Sequence, residues 1–173
     1  MRILVVYHTL TGNTEQIARS IHEAAGRKHQ PDLKKIEEIK PESCTGYDLV
    51  FVGCPIHAGG LSEPAQQFLR DLPSSAGYKL AGFVTHSSPG FSGKESEKGM
   101  ATLAGVTREK GISYFGCFDC QGRLAPELHP YVKQRKGFSD SEFQAYIDEA
   151  NKHPDEADRQ SAADFALRVL SQA

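Results

Sequence analysis

An apolar run from Ile3 to Tyr7 gives way to Thr9-Leu-Thr-Gly-Asn-Thr-Glu15, and a helical pattern follows at once. A strand ending on such a segment brings backbone amides to one spot, so this junction constrains both the fold and the ligand. It carries hydroxyls at Thr9, Thr11 and Thr14, an amide at Asn13 and a glycine at Gly12 for a tight turn, but no lysine or arginine. The first N–H groups of a helix lack intrahelical partners and sit at the positive end of its dipole, so a phosphate there gains several hydrogen bonds without a formal countercharge. Neutral donors do the binding in this reading. The plainer alternative is a capped helix after a strand, for which one hydroxyl suffices.

Further apolar, β-rich runs at 49–54, 80–85 and 112–118 are short and nearly unbroken, as suits strands buried on both faces of a parallel sheet. A shorter run at 33–36 is expected at an edge. Between them, Ile17, Ala18, Ile21, Ala24 and Ala25 make one helical stripe, and Ala65, Phe68, Leu69 and Leu72 another behind Ser62 and Pro64. Ser92 with Glu95 offers a capping box for a third helix to about Lys110. Ser139 with Glu142 repeats it before Phe143, Tyr146 and Ile147, and a last helix after Pro154 carries Ala162, Phe165, Ala166, Val169 and Leu170. Alternating strands and helices predict an α/β fold: a doubly wound, five-stranded parallel sheet in three layers, with ligands at the carboxyl ends of the strands.

The 173 residues suit a single domain over 1–173, and a net charge of -2 argues against a nucleic-acid binder. No run approaches the ~18 apolar residues of a membrane span, and Met1-Arg2 enters a strand without a signal-peptide layout, so a cytoplasmic protein is expected. Its four cysteines are too few for a disulfide scaffold.

Thr9-x-Thr-Gly-Asn-Thr14 after the first strand resembles the phosphate loop with which the flavodoxin family binds flavin mononucleotide (FMN). The resemblance implies strand order 2-1-3-4-5 and phosphate contacts from Thr9, Leu10, Thr11, Gly12, Asn13 and Thr14. It also implies a second loop, with Pro55, Ile56, His57, Ala58 and Gly59, bordering the flavin ring. A third loop, with His86, Ser87, Ser88, Pro89, Gly90 and Phe91, would face the other side, Phe91 being placed to stack. The chain departs from the family pattern in having no Trp, with Ile56 and His57 where a large apolar residue is usual, and no acidic residue in 86–93. Negative charge near the ring disfavours the reduced anion, so its absence eases full reduction. Small carriers of the family are often strongly acidic, and a charge of -2 supplies little long-range steering. An FMN-binding electron-transfer protein is therefore expected, working with redox protein partners or a small-molecule acceptor as a monomer or homodimer. The alternatives are an FMN-dependent NAD(P)H:quinone-type oxidoreductase and a non-catalytic binding module. No catalytic residue or metal ligand is assigned.

His8, His57 and His86 each follow a predicted strand and converge on the rim with Cys54, Cys117 and Cys120, yet no His-x-x-x-His pair supports zinc. A protonated His57 beside the ring would stabilise the reduced anion. Cys117-Phe-Asp-Cys120 is a lone CxxC at a strand end, read either as a redox pair or as buried packing. Gly90-Phe-Ser-Gly-Lys94 is too short for a P-loop, and no G-x-G-x-x-G follows the first strand. The basic, proline-bearing segment 121–137 is read as a solvated excursion or a docking segment.

Overall fold

The computed structural model describes residues 1–74, 77–88 and 96–173. Its strands are β1 (Ile3–Tyr7), β2 (Asp32–Lys35), β3 (Leu49–His57), β4 (Gly60–Leu61), β5 (Lys79–His86) and β6 (Ser113–Gln121). The helices are α1 (Asn13–Gly26), α2 (Glu63–Asp71), α3 (Glu97–Glu109), α4 (His129–Lys136), α5 (Asp140–Ala150) and α6 (Glu156–Gln172). Five strands pair in parallel in the order β2-β1-β3-β5-β6, which is the expected 2-1-3-4-5 once the two-residue β4, antiparallel to β3, is set aside.

Strand periodicity sorts the core into two layers. Ile3, Val5, Phe51, Ala81 and Phe83 face α1 and α6, meeting Ile17, Ile21, Phe165 and Ala166. Leu4, Val6, Val50, Val52, Leu80 and Val84 face α2 and α3, meeting Phe68, Leu69 and Leu103. Burial on both faces explains why β1 reads as an unbroken apolar run, every residue of it buried. β2, at the edge, is mostly exposed.

Two capping boxes start helices where local chemistry demands them. Ser139 Oγ accepts from the Glu142 amide while Glu142 Oε2 accepts from the Ser139 amide, opening α5 as its sequence indicates. Asp155 and Asp158 do the same for α6. The expected box between Ser92 and Glu95 lies outside the described residues. Helix α3 begins at Glu97 behind Ser96.

The segment 121–137 departs from its reading as a loop, because it contains a turn of 3-10 helix at Pro126–Leu128 and then α4. Gly137, at φ 67, ends α4 in the left-handed conformation, and α5 follows from Asp140. A separate small core of Leu124, Tyr146 and Ile147 with Val132, Phe138 and Phe143 holds the pair together.

Gly53 in β3 admits Phe83 across the sheet: a Cβ there would stand 2.0 Å from Phe83 Cε2. Gly53→Ala must displace a buried ring in close-packed surroundings and should cost about 1–3 kcal/mol. The check is a urea midpoint lowered at unchanged slope; an unshifted midpoint would mean that the ring yields freely.

Candidate functional site

The carboxyl ends of β1, β3, β5 and β6 open onto one rim, and the first segment to leave it is the 9–14 loop. Gly12 takes φ 81 as the N-cap of α1, and no side chain caps the helix although three threonines stand within reach in sequence. Thr9 Oγ1 accepts from the Gly12 amide at 3.0 Å. Thr14, fully buried, exchanges a hydrogen bond with Thr85 at 2.9 Å, so its hydroxyl is tied to β5 and its amide is what the loop has to offer. Asn13 is buried and donates from Nδ2 to the Arg123 carbonyl at 2.8 Å, which leaves its Oδ1 without a partner. Thr11 remains partly exposed. The plain capped helix is thus not what forms: among the described residues, no side chain accepts from the leading amides of α1.

The second loop is a hairpin. β3 runs three residues beyond its expected end, and Ala58 and Gly59, at φ 50 and 81, turn it into β4. Positive φ at both positions is the twist-compatible two-residue turn, with Ala58 accepting a conformation that disfavours side chains. Ile56 packs its Cδ1 against Gly99 of α3, where a Cβ would come within 2.5 Å. In the third loop, Ser87 Oγ shares a hydrogen bond with Tyr146 Oη at 3.2 Å, pinning α5 to the rim. Ser88 is buried. Pro89, Gly90 and Phe91 lie outside the described residues.

Between these loops and α4 lies a cleft of about 640 Å³. Leu10, Ile56, His57, Ala58 and Gly59 line one side, His86, Ser87 and Ser88 the floor, and Leu128, Tyr131, Val132 and Arg135 the far wall. Leu10, Leu128 and Tyr131, all in its lining, are 60%, 39% and 56% exposed. A smaller crevice, lined by Thr11, Asn13, Thr85 and Arg123 among others, runs from the cleft toward the 9–14 loop. The sequence reading overlooked the α4 wall. Pro130 in the first turn, Gly137 past the last and three cations between them were the signals available.

The three rim histidines go separate ways. His8 pairs with Glu37 at 2.6 Å, and His57 borders the cleft. His86 is buried with Nε2 3.5 Å from Asp119 Oδ2, and neither ring nitrogen has a hydrogen-bond partner. Asp119, also bonded by Ser96 Oγ, brings to the third loop a carboxylate that the loop itself lacks. Desolvation, helped by the nearby His8, lowers the pKa of His57 below the ordinary value, so the protonated imidazole expected beside the ring is disfavoured. Cys117 and Cys120 do not form a redox pair. They pack into the cores on opposite faces of β6, because three residues of strand reverse the side-chain direction, and burial pushes both thiols up. Among the described residues, the group spaced for a metal is His153, Asp155 and Asp158, already engaged in starting α6.

Residues 4–167 match the model of the flavodoxin domain family. The chain belongs to the flavodoxin family. It is 28% identical over its whole length to a flavodoxin-like domain-containing protein, BilS, of Clostridioides difficile, of which it covers 98%. It is 27% identical to a flavodoxin of Aquifex aeolicus over 126 residues, 70% of this chain and 68% of that one. Among solved structures, oxidised flavodoxin 1 of Bacillus cereus superposes with a TM-score of 0.70 over 100% of this chain and 99% of that one, at 13% identity. Flavodoxins generally bind FMN, and the residues at this rim suit it. Free helix amides match a phosphate, the lone Asn13 Oδ1 matches a hydroxyl of the ribityl chain, and an apolar cleft with unbonded His86 nitrogens matches a flat heterocycle.

His57 yields a pH prediction. A histidine whose native pKa is lowered is protonated first in the unfolded chain, so it costs nothing well above pH 6.5 and lowers stability as pH falls below that value, only slightly for a ring as exposed and solvent-screened as this one. Its imidazole should titrate by NMR with a midpoint under 6.5, and His57→Gln should soften the acid loss. A midpoint above 6.5 would contradict the partial desolvation at the cleft's edge.

Proposed function

We propose that this chain binds FMN non-covalently in the rim cleft and carries electrons between a redox donor and an acceptor in the cytoplasm. The observation behind this reading is the start of α1, where leading amides converge without a side-chain cap at the end of a buried strand. When bound, FMN supplies the redox chemistry. The chain's contribution is to fix the phosphate with the 9–14 loop and to flank the ring with Ile56, His57 and the third loop. Four free cysteines accord with a reducing compartment.

A second reading, reduction of a small organic acceptor at the expense of NAD(P)H, is favoured by the α4 wall. It extends the cleft beyond the second and third loops and gives it an apolar lining with Arg135 at its edge. A carrier that meets only protein partners has no need of that added space.

Adding FMN to the purified protein should quench flavin fluorescence with saturable, one-to-one binding. Thr11→Ala removes a hydroxyl bond to a charged group, worth about 1.5–3 kcal/mol, and should weaken binding at least tenfold. An unchanged dissociation constant would count against the phosphate loop. Anaerobic NADPH then separates the two readings. Bleaching by NADPH alone identifies a reductase, and bleaching only after a separate flavoprotein reductase is added identifies a carrier.

A further inference from the structure

The 9–14 loop has no cation of its own, but the fold brings one to it. Arg123, just past β6, points Nη2 at the Thr11 carbonyl from 3.4 Å, at the long limit of a hydrogen bond. Its backbone is fixed from two sides. The Arg123 carbonyl accepts from Asn13 Nδ2 at 2.8 Å, and the Gly122 amide donates to the His86 carbonyl at 2.7 Å. Gly122 also lies so near Asn13 that a Cβ would stand 2.6 Å from Nδ2. No ion pair among the described residues engages Arg123, whose side chain remains exposed at the crevice.

A guanidinium beside the N-terminus of a helix adds positive charge to a positive dipole end, which is unfavourable until an anion sits between them. The buried neighbour points the same way. Asn13 is 5% exposed, its Oδ1 has no partner, and its amide cannot flip without losing the bond from Nδ2 to Arg123. That oxygen calls for a donor on a ligand, such as an alcohol next to the anion. A phosphate ester of a polyol meets both demands.

We infer that Arg123 is the countercharge by which the crevice selects phosphorylated flavin over riboflavin. The inference rests on the FMN reading and adds to it a residue from the fourth rim segment, outside the loop that resembles the family's phosphate site.

The experiment compares dissociation constants for FMN and riboflavin, at low and high salt, in the wild-type protein, Arg123→Gln and Arg123→Lys. Arg123→Gln should weaken FMN at least tenfold, leave riboflavin within twofold, and flatten the salt dependence of FMN binding. Arg123→Lys, keeping charge but losing the planar fork, should fall between. Equal losses for both flavins would assign Arg123 a structural role, and no loss for either would remove it from the site. Either result overturns the inference while leaving FMN binding intact. If Arg123→Gln fails to fold, FMN binding to Arg123→Lys and its salt dependence decide: affinity for FMN equal to wild type, or insensitive to salt in the wild-type protein, overturns it. A wild-type protein that binds neither flavin sinks the FMN reading itself, and this inference with it.

Discussion

The turn at Gly12 sets the terms for the rest of the molecule. A strand buried on both faces must leave the sheet within a few residues, and the chain manages it by a left-handed conformation that leaves α1 without a side-chain cap. The hydroxyls that would ordinarily close a helix are drawn elsewhere, Thr9 to the turn and Thr14 to β5. What remains is a set of donors aimed at the rim, and the neighbouring strand ends assemble around it. Each later element adds to this centre: β3 and β4 a rigid edge, β5 a floor, β6 a clip through Gly122 and Arg123.

Much of this architecture was legible from residues alone, for a physical reason. Strands covered on both sides need continuous apolar runs, so β1, β3, β5 and β6 stand out, and the box at Ser139 and Glu142 marks α5 to the residue. Strand ends were less visible, since β3 continues through Pro55, Ile56 and His57, where composition suggests a loop. Helix α4 was hidden because it is short, carries only Tyr131 and Val132 as large apolar residues, and buries none of its side chains fully. It exists through its neighbours, Val132 and Phe138 packing with α5, a tertiary effect that no local periodicity carries. The same holds for Arg123, which is placed by the bonds of Asn13 to its carbonyl and of Gly122 to His86, whereas the separation of Cys117 from Cys120 follows from strand periodicity once β6 is known to run through both. The third loop was legible as a rim segment through His86, Ser87 and Ser88.

The charge at the rim is unevenly placed. The loops contribute neutral donors, His57 favours its uncharged form, and Asp119 is engaged by Ser96 beside His86. The cations stand at the margins, Arg123 at the crevice and Arg135 and Lys136 along the cleft, within an overall charge of -2 that supplies little long-range steering. Specificity then has to come from short-range contacts, which low dielectric in a partly closed cleft strengthens.

Helices α4 and α5 share a small core with Leu124, and the bond between Tyr146 and Ser87 ties α5 to the rim. A unit with so small a private core unfolds locally at lower free energy than the layers beneath it. The far wall of the cleft thus rests on the less stable part of the fold and its floor on the more stable one. Shape and rigidity are thereby divided between two parts of one chain.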